Sequence, residues 1–216
     1  MFRASLRPDG SPLNILCLGA HSDDIEIGCG GAVMRLLDEH PGSSVRWVVF
    51  AAPGEREAEA RSCAAGFLRG AGSSQLEIKH HRESYFPAET AQIKDAFEAL
   101  KAQIAPDLIF SHRLEDRHQD HRVIAELTWN TFRNHLIFHY EIPKYEGDLG
   151  HPNCFIPLPR NIADRKVDLL LEHFVSQHGR PWFRADTFHG LMSIRAAECN
   201  AAESRAEAFY ASKIVW

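Results

Sequence analysis

The chain has 216 residues, of which 44% are hydrophobic, 10% aromatic and 25% charged. That is enough for one sizeable core and argues against a disordered or fibrous chain. A formal net charge of −5, with no stripe of Lys and Arg, gives no reason to expect a nucleic-acid partner.

The N-terminal stretch carries Arg3, Arg7, Asp9 and Gly10 before its first apolar run, unlike a signal peptide, and no later segment approaches a membrane span. A cytoplasmic protein is expected. The five cysteines (17, 29, 63, 154 and 199) contain no CxxC pair and read as reduced thiols, not a disulfide framework. Histidine is abundant, with 13 residues, several of them close to aspartates.

In chain order, Asn14 to Ala20 reads as a buried strand that ends in the polar loop His21-Ser22-Asp23-Asp24. Gly28, Gly30 and Gly31 lead into an apolar pattern of helical spacing that Pro41-Gly42 stops, and residues 45–52 read as a second strand. The spacing then predicts a helix over 55–69, a strand near 75–80, a helix over 89–104, a strand at 107–111 and a helix from about 119 to 134. This alternation predicts a single Rossmann-like α/β domain over 1–216, with a mainly parallel sheet, helices on both faces and sites at the carboxyl ends of the strands. From about 142, Pro143, Gly147, Gly150, Pro152, Pro157 and Pro159 predict a long irregular segment, a substrate wall or lid, before a helix over 161–177.

Both His/Asp clusters fall where such sites form. His21 and Asp24 offer an imidazole and a carboxylate from one tight loop, and Asp23 is left as a base. Asp116, His118, Asp120 and His121 supply a third ligand and groups to orient imidazoles, the complement a catalytic zinc site needs. The glycines do not form a dinucleotide fingerprint, because Val33 stands where GxGxxG requires glycine; close helix packing is the better reading. His80, His81, His135, His139, His151, His173, His178 and His189 lack a ligand-like partner at short spacing, and Trp182 and Phe183 read as core.

The stretch AHSDDIEIGCGG, with RHQDH about a hundred residues on, resembles the PIG-L or LmbE-like deacetylase family, whose signatures are AHPDD with a Gly-rich turn and HxDH. Arg56 and Glu59 match an RxxE, and Lys166, Ser176-Gln177 and AEAF at 206–209 resemble later family patterns. Ser22 replaces the usual proline, which ligates nothing. The resemblance implies His21, Asp24 and His121 as zinc ligands and Asp23 as general base. It also implies that His118 faces the substrate carbonyl, that Asp120 orients a histidine, and that Arg56 contacts substrate. The implied reaction is removal of an N-acetyl or other N-acyl group from an amino sugar or sugar conjugate by activated water. A protonated His118 would help stabilise the oxyanion, and Asp23 or His118 would protonate the leaving amine. Such a donor set also accepts Fe(II), Co(II) or Mn(II). A metal phosphoesterase, another amidase and a non-catalytic sugar- or nucleotide-binding protein are the rival readings, and a homo-oligomer is left open.

Overall fold

The computed structural model describes residues 3–214. One seven-stranded sheet runs in the order β3-β2-β1-β4-β5-β7-β6. Its first five strands, β1 (Asn14–Gly19), β2 (Ser44–Val49), β3 (Ser73–Ile78), β4 (Leu108–His112) and β5 (Leu136–Tyr140), are parallel. β7 (Ala206–Ser212) pairs antiparallel with both β5 and β6 (Cys154–Pro157).

Alternation along the strands builds two cores, as a pleated sheet requires when both faces are covered. Ile15 and Cys17 of β1, Trp47 of β2 and Phe110 of β4 pack under the helices α1 (Asp24–Glu39), α2 (Arg56–Phe67), α5 (Arg160–His173) and α6 (Ala185–Glu198). Leu16, Leu18, Val48 and Ile109 face the opposite way, toward α3 (Thr90–Gln103) and α4 (Gln119–Thr131). Strand order reverses between β1 and β4, which opens a crevice at their carboxyl ends. No helix among the described residues is long and apolar enough to cross a membrane.

The mainly parallel, doubly covered sheet agrees with the expectation, but the region beyond 142 needs correction. The long irregular run covers only 142–153; β6 lies inside the Pro-rich stretch, and α6 and β7 follow. Pro157 is tolerated because β6 is an edge strand of four residues. The expected helix over 161–177 ends at His173, with a separate 3-10 turn at Val175–Gln177.

The glycines of the GCGG run let α1 lie close to its neighbours. A Cβ on Gly28 would stand 2.2 Å from the Tyr140 ring, on Gly30 2.4 Å from Phe67 and on Gly31 2.5 Å from Leu158. Glu207 of β7 accepts from the amides of Gly31 (2.9 Å) and Ala32 (2.7 Å), and the buried Lys166 of α5 joins Glu207 to the Ile27 carbonyl. This internal ion pair, its charges satisfied by helix amides and a carbonyl, ties α1 to α5 and β7 within about two turns of Asp24.

Candidate metal centre

The loop after β1 is closed by its own chemistry: the Asp24 carboxylate accepts from the His21 amide at 2.7 Å. The i, i+3 spacing thereby turns both side chains toward one point. From the loop after β4, His121 enters on the first turn of α4. His21 Nδ1 and His121 Nε2 are 3.1 Å apart; of the Asp24 carboxylate, Oδ2 lies 3.4 Å from His21 Nδ1 and Oδ1 3.4 Å from His121 Nε2. Donors about 2.0–2.1 Å from a tetrahedral ion stand roughly 3.3 Å from one another, so the separations within this triangle of side chains are of the size a zinc site needs. His21, His118 and His121 also gather within 4.8 Å, as do Asp24, His112 and His121, so His118 and His112 stand around the same point.

The outer nitrogens are occupied as well. Asp120 Oδ2 faces His21 Nε2 at 3.1 Å, and Asp116 Oδ2 faces His121 Nδ1 at 3.0 Å. Each carboxylate fixes the tautomer that presents the other nitrogen to an ion. Asp120 is itself held by the amides of Ser84 (2.6 Å) and Phe86 (3.1 Å), and Ser84 adopts the left-handed φ of 68° in that loop. Asp116 accepts in addition from the His118 amide at 2.8 Å.

The electrostatics ask for a cation. Asp23, Asp24, Asp116 and Asp120 are all buried, against the cations of Arg56 and Lys144, which also serve Glu83 and Asp148. Burial would lower the His21 pKa, but the Asp24 charge and the Asp120 hydrogen bond outweigh it and raise the group to about 10. Burial would raise the Asp24 carboxyl; the imidazoles of His121, His112 and His21 instead hold it well below the usual range. His121 falls to about 3, chiefly through burial and then the adjacent His112. A donor set of two imidazoles and a carboxylate in a buried, anionic crevice fits a divalent ion.

Asp23 stands beside the triangle, its Oδ1 3.3 Å from Arg56 Nη2, and burial above all raises its carboxyl. His118 is half-buried, with its ring centroid 4.9 Å from that of His21 and 4.6 Å from that of His121. Its Nδ1 accepts from the Asp120 amide at 3.3 Å, so the neutral ring carries its proton on Nε2; burial and the neighbouring His21 lower its pKa. The structure thus gathers every residue expected at the site, with Arg56 at Asp23 and Glu83 in an ion-paired position.

Sequence reasoning missed His112, at the end of β4. Fully buried, it stacks on His121 with centroids 3.9 Å apart; its Nε2 accepts from the Ala20 amide at 3.0 Å and lies 3.2 Å from both Asp24 and the Tyr140 hydroxyl. The amide makes Nε2 an acceptor within the fold, which leaves His112 to pack and brace the ligands. Its position after an apolar strand run was the only signal.

The family model for PIG-L, described as GlcNAc-PI de-N-acetylase, matches residues 16–132, more than half of the chain and both histidine loops. No curated protein matches the chain in sequence. Among solved structures, the conserved protein TT1542 from Thermus thermophilus is similar with a TM-score of 0.71 at 16% identity, over 94% of this chain and 97% of that one. N,N'-diacetylchitobiose deacetylase from Pyrococcus horikoshii gives 0.67 at 15% identity, over 93% and 84% of the two chains. GalB, the 4-carboxy-2-hydroxymuconate hydratase from Pseudomonas putida, gives 0.67 at 15%, over 94% and 99%. At these identities the structural likenesses show a shared fold, and the family match carries the assignment: the chain belongs to the PIG-L family.

Proposed function

We propose that the chain is a metal-dependent N-deacetylase that removes an acetyl or related acyl group from the nitrogen of an amino sugar or sugar conjugate. His21, Asp24 and His121 would hold the ion, zinc by first choice. The observation that carries this reading is the three-donor triangle with a spare buried carboxylate, Asp23, beside it. Family membership and the deacetylase among the similar folds support the same chemistry.

A bound ion would polarise the amide carbonyl and lower the pKa of water toward about 7. Asp23 takes the proton of the attacking water. Its burial raises its basicity, and the Arg56 guanidinium holds its Oδ1 in place. His118 presents Nε2–H to the oxygen of the attacked carbonyl, its Nδ1 being taken up by the Asp120 amide. The proton that Asp23 has collected passes to the leaving amine. Asp120 and Asp116 keep His21 and His121 in the orientations this requires. Arg56 acts as the partner of Asp23 and not as a free substrate anchor. We place the enzyme in the cytoplasm.

A phosphoesterase with two ions is disfavoured, since Asp116 and Asp120 are engaged with His121 and His21 and Asp23 with Arg56. The test is an acyl-release assay across N-acetylated amino sugars and their conjugates, with an unsaturated carboxylic acid included because one similar fold bears the name of a hydratase. Acetate release from at least one sugar is expected; water addition to the acid with no acyl release would overturn the proposal.

A further inference from the structure

The irregular stretch between β5 and β6 is tied down at both ends. Glu141 receives Arg195 at 2.6 and 2.9 Å, and Arg195 also donates to the Gly150 carbonyl at 3.2 Å. Between these ties lies a turn, closed by the Gly147 amide on the Lys144 carbonyl, with Gly147 at a φ of 58°. Lys144 Nζ donates to both Asp148 oxygens at 2.8 Å and reaches across to Asp116 Oδ2 at 3.1 Å. That Asp116 oxygen is the one facing His121 Nδ1. Asp148 meanwhile accepts from the Arg117 amide at 2.8 Å, and its carbonyl receives Arg113 at 2.6 Å. The side chains of Lys144, Asp116 and Asp148 are 7%, 1% and 6% exposed, whereas Tyr145 at the turn's tip is 67% exposed. Arg117, whose amide donates to Asp148, directly precedes His118, which sets the turn beside the site.

We infer that Lys144 is a positioning residue: it latches the turn 144–148 to the outer carboxylate of His121, so that the turn stands as a fixed wall of the substrate mouth beside His118. The role of this wall rests on the deacetylase reading; the latch itself does not. One ammonium lies between two buried carboxylates, and without it they face each other uncompensated. Asp116 cannot give way, because His121 and the His118 amide hold it. The turn can, since its tip lies in solvent. Loss of the ammonium therefore moves the wall and leaves the three metal donors where they are.

The experiment compares wild type, Lys144→Met, Asp148→Asn and the double variant by hydrogen exchange of residues 142–150, metal content and steady-state kinetics. Lys144→Met is expected to speed exchange of the turn by about 10-fold or more and to raise KM by about 10-fold, with kcat within about 3-fold and metal content unchanged. Asp148→Asn keeps the acceptor for the Arg117 amide and removes the second charge. It raises KM only about 3-fold, and the double variant goes no further, because the repulsion is gone. Wild-type exchange in Lys144→Met would overturn the latch. So would a double variant whose KM is the product of the two single effects. Asp148→Asn, which loses the charged partner of Lys144, is expected to speed exchange of the turn about 3-fold, so if Lys144→Met does not fold, wild-type exchange in Asp148→Asn overturns the latch equally. A wild-type chain that releases no acyl group defeats the deacetylase reading alone, and exchange then decides the latch.

Discussion

Two Gly→Ala substitutions in helices should act with opposite sign. In Gly28→Ala, the new Cβ would stand 2.2 Å from Tyr140 Cδ2 and 2.5 Å from Cγ. An ordinary carbon contact begins near 3.5 Å, so a gap of about 1.3 Å must open. Tyr140 cannot yield: it is fully buried, and its hydroxyl donates to the Leu18 carbonyl at 2.7 Å. The start of α1 must shift instead, and Asp24 lies one turn away. Overpacking of this size costs about 3 kcal/mol, against about 1 kcal/mol gained from helix propensity. The net loss of about 2 kcal/mol lowers Tm by roughly 4–8 °C for a chain of this size. In Gly190→Ala, on α6, the added methyl meets nothing within 4 Å, so the same change should stabilise by about 0.4–1 kcal/mol. Calorimetry and metal content on both variants provide the assay. A Gly28→Ala protein at or above wild-type Tm, with its metal retained, would refute the claim that the glycine run exists to seat α1 on Tyr140.

Three further substitutions separate the supports of the site. Asp120→Asn weakens the orientation of His21 and should lower metal affinity by about 10- to 100-fold in a competition titration. Lys166→Met leaves Glu207 buried without its cation and should cost about 3–5 kcal/mol in urea denaturation, while Asp120→Asn costs far less. His112→Phe keeps a ring against His121 but strands the buried Ala20 amide; about 1–3 kcal/mol of stability should be lost with the metal content preserved.

The sequence made the site legible because its parts are local and chemical. His21, Asp23 and Asp24 share one loop, His118, Asp120 and His121 another, and each follows an apolar run that reads as a strand. Strand-helix alternation then placed both loops at one sheet edge, where strand order reverses. What escaped was set by long-range packing. His112 reads as the end of a strand, and its acceptor role depends on an amide 92 residues away. Leu136–Tyr140, LIFHY, is a five-residue segment too short for periodicity to identify. β7, written AEAFYAS, is rich in residues of low strand preference and carries a glutamate that is buried only because Lys166 and two amides of α1 receive it. In α6, buried Phe188, Met192, Arg195 and Ala196 do follow helical spacing, but the intervening His189, Gly190 and Ser193 dilute the pattern. Arg56 was visible as a candidate contact, yet only the fold shows it turned to Asp23 and Glu83.

The most direct test sets wild type beside Asp23→Asn, with metal analysis and acetate release on the best N-acetylated sugar measured on the same preparations. A base at Asp23 beside an intact metal triangle predicts about one divalent ion per chain in both proteins, and a kcat for Asp23→Asn lower by about 10²- to 10⁴-fold. A wild-type protein that binds no divalent ion, or an Asp23→Asn protein that releases acetate at the wild-type rate, would contradict it.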